Sequence, residues 1–187
     1  MKKIVIFASG SGSNAEQIIL HFKNSNQGNV VGIFSNNLHA KVLDRAKKHE
    51  ISFETFSREE LNDGSVLRKV EEINPDLIVL AGFLLKFPSA IIAKYPDKIV
   101  NIHPALLPKY GGKGMYGMHV HQAVLDNKEK ETGITIHYVN EHYDEGGIVF
   151  QQSVNIEGCA SAQEVALKVH QLEHQYFPQV IEQLLFK

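Results

Sequence analysis

The stretch Lys3-Ile4-Val5-Ile6-Phe7-Ala8-Ser9-Gly10-Ser11-Gly12-Ser13-Asn14 decides the fold. Lys3 to Ala8 is an apolar run rich in β-branched residues and bounded by glycine, the pattern of a buried strand. Ser9 to Asn14 turns the chain. Ala15 to Phe22 then places Ile18, Ile19 and Phe22 on one helical stripe. A strand, a Gly/Ser turn and a helix start together make an anion site. Free backbone N–H groups point outward at the helix N-terminus, and the helix dipole favours negative charge there. The glycines admit close approach of a phosphate, and the hydroxyls of Ser9, Ser11 and Ser13 add donors. The same residues also fit a plain N-cap and turn. The pattern is neither a dinucleotide fingerprint nor a Walker loop. The second strand ends in Ser35-Asn36-Asn37 without an acid, and the turn has no lysine. A nucleotide monophosphate or a sugar phosphate fits it better than NAD or ATP.

Outward from this stretch, strands and helices alternate. Asn29 to Ser35 reads as a strand, His39 to His49 as a helix, and Ile51 to Phe56 as a short strand. Arg58 to Ile73 is helical and charged, with an interruption at Asn62-Asp63-Gly64. Asp76 to Gly82 is a strand apolar on both faces, as in a covered parallel sheet. Ser89 to Lys94 is a short helix, and Ile99 to His103 is the next strand. This order predicts an α/β fold on a parallel sheet, with ligands outside the carboxyl ends of its strands. Thr132 to Asn140 alternates as a half-buried strand. Ile148 to Ile156 follows too closely for a crossover helix, so the two should pair antiparallel. A last helix runs to Leu185, with Pro178 expected to kink or divide it.

Three features collect at strand carboxyl ends. One is the Ser9–Asn14 turn, and another is the apolar loop Phe83-Leu84-Leu85-Lys86-Phe87, which is either core or the wall of an aromatic pocket. The third is Asn101-Ile102-His103-Pro104. Asn101 and His103 share one face of an extended chain, and Pro104 ends the ladder after them. A capping Asn and a satisfied His would look the same. Lys109 to Met118 holds four glycines in ten residues, a flexible loop and a candidate lid. His119 and His121 diverge on a helix, so they form a poor metal pair, and no metal is expected.

At 187 residues, 43% hydrophobic and 21% charged, the chain suits a single domain over 1–187. Its formal net charge of -2 gives no basic field for nucleic acid or an anionic membrane. One cysteine, Cys159, excludes an intrachain disulfide and a cysteine-cluster metal site, and its turn does not mark it as a nucleophile. The apolar run after Met1 is too short for a secretory segment or a membrane span, so a cytoplasmic protein is expected.

These residues, in this order, resemble the phosphoribosylglycinamide formyltransferase branch of the folate-dependent formyltransferases. The resemblance rests on six pieces covering nearly the whole chain: Ser9 to Asn14, Leu80 to Phe83, Asn101 to Lys109, Gly133 to His137, Asp144-Glu145-Gly146-Gly147, and Glu173-His174. It implies a Rossmann-like, mostly parallel seven-stranded sheet with an antiparallel pair near the C-terminus and helices on both faces. It implies transfer of a formyl group from the co-substrate 10-formyltetrahydrofolate to the amine of glycinamide ribonucleotide, in purine biosynthesis. Asn101, His103 and Asp144 would be the catalytic trio; Gly12, Ser13 and Asn14 would hold the phosphate; Glu173 would bind the ribose. Phe83, Leu84, Leu85, Lys86 and Phe87, with Asn101, His142, Tyr143 and Asp144, would hold the folate, largely through backbone groups. Asp144 would raise the pKa of His103 and orient its ring. The family often has a cis bond at Leu107-Pro108. The loop after Lys109 is longer than the compact bacterial form, which leaves its substrate contacts open. Partners would be small molecules, without nucleic acid or membrane, and the protein a monomer or weak homodimer. Two other readings remain. One is a hydrolase or transfer-RNA formyltransferase of the same superfamily, for whose extra domains the chain offers no room. The other is a silent phosphate-binding module.

Overall fold

The structure, a computed structural model, describes residues 1–186. Strand β1 (Lys2–Phe7) lies inside the sheet, and its alternating side chains split the core in two. Ile4 and Ile6 face one side and pack with α1 (Ser13–Asn24), α2 (Lys41–Lys48) and α7 (Ala162–Leu184) through Ile18, Val42, Val169 and Phe177. Val5 and Phe7 face the other, toward α3 (Arg58–Asn62), α4 (Ser65–Ile73) and α5 (Ser89–Lys94) through Leu61, Val70 and Ile91. Helices therefore cover both faces.

The remaining strands are β2 (Gly28–Ser35), β3 (Phe53–Thr55), β4 (Leu77–Leu80), β5 (Ile99–His103), β6 (Glu131–Tyr138) and β7 (Ile148–Asn155). A further helix, α6 (Met118–Asp126), precedes β6. The seven-stranded sheet has the order β3-β2-β1-β4-β5-β6-β7. All pairs from β3 to β5 are parallel, and β6 is antiparallel to both of its neighbours. The chain leaves β1 toward β2 on one side and later returns to β4 on the other. This reversal opens a crevice above the carboxyl ends of β1 and β4, where ligands bind in such sheets.

The interruption in Arg58–Ile73 is present. Asp63 caps α3, and Gly64, at φ 90°, opens α4. Three expectations are corrected. β3 is shorter than Ile51–Phe56: Phe53 to Thr55 pair in register with β2, and Ser52 and Phe56 add one flanking bond each to it. β6 is not half-buried. Thr135 and His137 are as buried as Ile134 and Ile136, because the segment after β5 covers their face. Pro178 does not divide the last helix, and α7 is continuous from Ala162 to Leu184. A proline removes one helical hydrogen bond. Here fully buried Phe177 and Ile181 on either side hold the helix against the sheet through that gap.

Candidate active site

The turn after β1 is built as an anion cradle. Gly12 caps α1 in the left-handed region, at φ 71° and ψ 22°, and no side chain caps the helix. A Cβ on Gly12 would lie 2.5 Å from Cβ of Val42, so the turn sits directly against α2. Only glycine meets both conditions without strain. Ser9 is corrected. Its hydroxyl donates to Asn36 Oδ1 at 2.6 Å and accepts from Leu84 N–H at 3.0 Å, so it ties two loops together and is not free for a phosphate. Asn14 reaches across to α7 and donates from Nδ2 to Glu173 Oε2 at 2.9 Å, while its own Oδ1 is buried without a partner. Glu173 Oε2 also bonds His170 Nδ1 at 2.8 Å, a pairing that holds the His170 imidazole above its ordinary range.

Asn101 and His103 stand at the end of β5, where the parallel sheet meets antiparallel β6. Register places Asn101 opposite His137. His137 Nδ1 lies 2.9 Å from the Tyr138 carbonyl, so that nitrogen carries the hydrogen. His137 Nε2 is then an acceptor and takes one amide hydrogen of Asn101 at 3.0 Å. This fixes which end of the Asn101 amide is the donor and leaves its second hydrogen uncommitted. His103 Nε2 lies 2.7 Å from the Tyr110 carbonyl and so donates to it. His103 Nδ1 lies 3.5 Å from Asp144 Oδ2, and Asp144 Oδ1 is 3.6 Å from His137 Nε2. Asp144 has φ 58°, which Asp tolerates better than most residues, and Gly112 N–H donates to its Oδ2 at 2.9 Å.

The electrostatics differ from expectation at His103. Burial pushes its imidazole below the ordinary range. Asp144 and the Tyr110 carbonyl pull it up without reversing that. His103 is therefore neutral at neutral pH, because desolvating an imidazolium at 3% exposure outweighs a carboxylate at 3.5 Å. Burial alone would raise the Asp144 carboxyl. The pull of the His137 and His103 rings, which acts when a ring carries a proton toward it, and the Gly112 N–H together hold it below the usual range, so Asp144 is a carboxylate. On α6, His121 is 2% exposed, and its Nδ1 has no partner. Desolvation, with His170 beside it, lowers it to about 4.

Two adjoining recesses collect the site residues. A cleft of about 580 Å³ is lined by Gly12, Ser13, Asn14, Phe83, Leu84, Asn101, His103, Tyr143, Asp144 and Glu173. A smaller recess of about 80 Å³ beside it is lined by Leu85, Lys86, Phe87 and His142, and shares Phe83, Asn101, Tyr143 and Asp144 with the cleft. Phe87 divides its role. Its ring is core, 5.0 Å and edge-on from Phe7, and the residue also borders the recess. The Leu107–Pro108 bond is cis.

The formyl transferase family model matches residues 2–181. The chain belongs to the formyl transferase family. A phosphoribosylglycinamide formyltransferase of Escherichia coli (strain K12) is 34% identical, over 95% of this chain and 84% of the other. One from Bacillus subtilis (strain 168) is 33% identical, over 99% and 95%. The chloroplastic relative from Arabidopsis thaliana is 36% identical, but the chain spans only 64% of its length. The crystal structure of glycinamide ribonucleotide transformylase 1 from Geobacillus kaustophilus superposes with a TM-score of 0.90 at 31% identity, covering 99% of each chain.

In this family member several supporting residues escaped sequence reasoning. Thr135, fully buried, donates to the Ala105 carbonyl at 2.7 Å and accepts from Leu107 N–H at 3.0 Å and from Gln151 at 2.9 Å. It pins the segment that follows His103. Thr135 and His137 read as the wet face of an alternating strand, and only their pairing with β5 and cover by that segment make them interior. The signal available was the position of His137 within the Gly133–His137 piece of the resemblance. His121, which lines the same cleft, was read only as half of a poor metal pair with His119, and His170 beside it gave no local pattern.

Proposed function

We propose that this chain transfers a formyl group from 10-formyltetrahydrofolate to the amine of glycinamide ribonucleotide. The observation that carries the reading is one cleft joining a phosphate turn without a capping side chain to an amide, an imidazole and a carboxylate. The phosphate sits on the N–H groups of Gly12, Ser13 and Asn14, and Glu173 takes the ribose hydroxyls. The folate ring lies in the recess between Phe83–Phe87 and His142–Asp144, held mainly by backbone groups.

The amine attacks the formyl carbon, forming a C–N bond while the carbonyl π pair moves onto oxygen. The second amide hydrogen of Asn101 donates to that oxyanion, its orientation set by the bond to His137. Neutral His103 spends its one N–H on the Tyr110 carbonyl, so it adds a donor, from Nδ1, only when it takes up a proton as negative charge builds beside it. The Asp144 carboxylate accepts the proton shed by the attacking nitrogen, directly or through one water. The C–N bond to the folate then breaks, and that nitrogen takes a proton. One proton leaves the amine and one arrives on the leaving nitrogen, so the step balances without a metal or a covalent enzyme intermediate.

Incubation with 10-formyltetrahydrofolate, with and without glycinamide ribonucleotide, tests this by optical loss of the formyl group. Loss only with the ribonucleotide is expected. Loss without it would make the protein a hydrolase, and no loss in either arm would leave a binding module.

A further inference from the structure

The cations beside the turn lie outside the cleft: Arg45 Nε donates to the Ser11 carbonyl at 2.8 Å, and its guanidinium pairs with Glu16. Lys48 and His49 converge on the same Glu16 carboxylate. Inside the cleft the turn offers N–H dipoles, and Glu173, bonded to Asn14 and His170, stands beside it. A dianionic phosphate seated there would have neither Arg45 nor Lys48 beside it in the cleft. Lys113 is the single lysine or arginine lining the cleft, and it makes no ion pair or hydrogen bond among the described residues.

Lys113 is carried on the glycine-rich loop. Gly112, Gly114 and Gly117 all have positive φ, at 94°, 90° and 53°, and Met115 N–H bonds the Gly112 carbonyl at 3.1 Å, so Lys113 projects from a tight glycine turn. Gly112 N–H is bonded to Asp144 at 2.9 Å, which anchors that turn one residue before Lys113. A lysine suits this position, because a compact charge on a flexible stem reaches a phosphate oxygen from a loop without fixed geometry. We propose that Lys113 is the counter-charge for the substrate phosphate, brought over the Ser11–Asn14 turn by this loop. The proposal deepens, and rests on, the ribonucleotide reading of the cleft.

The test compares wild type with Lys113→Gln and Lys113→Arg, using calorimetric binding of ribose 5-phosphate and of ribose, together with steady-state transfer. Charge-assisted contacts to phosphate are strong, so Lys113→Gln should weaken ribose 5-phosphate binding roughly tenfold or more, with ribose unaffected. KM for the ribonucleotide should rise by a similar factor, KM for the formyl folate should not, and Lys113→Arg should recover most of the loss. Added salt should narrow the gap between wild type and Lys113→Gln. Unchanged ribose 5-phosphate binding in Lys113→Gln would overturn the proposal. So would a rise confined to the formyl-folate KM, which would place the ammonium on the folate's carboxylates. The binding arm does not depend on turnover. A protein that transfers no formyl group yet loses phosphate affinity in Lys113→Gln refutes the reaction and keeps the lysine's role.

Discussion

Replacing His121 by Leu should make the protein less sensitive to acid. His121 is 2% exposed, its Nδ1 has no partner, and its folded-state pKa is lowered from 6.5 to about 4. The unfolded chain therefore binds a proton near pH 6.5 that the folded chain refuses until about pH 4. Stability falls as pH drops through that window and is unaffected by this group above it. Linkage over the shift gives a loss of roughly 2 kcal/mol between pH 7 and pH 5 and about 3 kcal/mol by pH 4. His103 and His174, whose imidazoles are also lowered, chiefly by burial, push the same way. His170, raised by Glu173, opposes them, because its folded form holds a proton more tightly. Subtracting the two proteins isolates His121 to the extent that its neighbours keep their own values. An apolar replacement breaks no hydrogen bond, so the variant should be close to wild type at pH 7. Urea unfolding at pH 7 and pH 5, with equal m-values, measures the difference. The advantage of the variant should grow by about 2 kcal/mol on acidification. A constant difference between the two pH values would show that His121 titrates normally, and the desolvation argument would fail.

Two further outcomes follow from the same geometry. Gly12→Ala places a methyl group 2.5 Å from Cβ of Val42 at φ 71°, and should cost about 2–4 kcal/mol in urea unfolding as well as ribose 5-phosphate affinity. Adding Val42→Ala should return little, since Cβ and Cα of residue 42 still lie 2.5 Å and 2.8 Å from the new methyl and the backbone strain remains; full recovery would mean that neither the contact nor the left-handed conformation matters. In an NMR titration, the His103 ring should protonate below 6.5, and lower still in Asp144→Asn, because that carboxylate is one of the groups pulling it up. A value at or above 6.5 in wild type would mean the charge pairing outweighs burial.

The parallel half of the fold was legible because its strands are apolar on both faces and its helices carry single stripes. The Gly/Ser turn was legible as a strand-to-helix junction, though the same residues also fit a plain N-cap; its phosphate role is part of the proposal. That Asn101, His103 and Asp144 meet in one cleft could be expected only through the resemblance, since an Asn and a His at a strand end are equally well a cap and a core residue. What sequence hid was burial imposed from a distance. Ser9 looked like a phosphate donor until Asn36 and Leu84 claimed its hydroxyl. Thr135 and His137 alternated with apolar neighbours, as a wet face would, yet Thr135 anchors the segment that follows His103 and His137 is buried against Asn101 and Asp144. Asp144 does pull the His103 imidazole up as expected, but burial outweighs it, for the same reason. A neighbouring carboxylate is visible in a motif, while the depth of the site is set by every element around it.

In the proposed mechanism Asp144 acts on the amine's proton while the ribonucleotide is held elsewhere, at the Gly12–Asn14 turn. Asp144→Asn preserves size and the acceptor for the Gly112 N–H but removes the carboxylate. Its formyl transfer under saturating substrates, set beside its ribose 5-phosphate affinity, tests that division most directly. The account predicts turnover reduced by several orders of magnitude with phosphate-ligand affinity within about threefold of wild type. Near-normal turnover would remove Asp144 from the proton path and contradict the account.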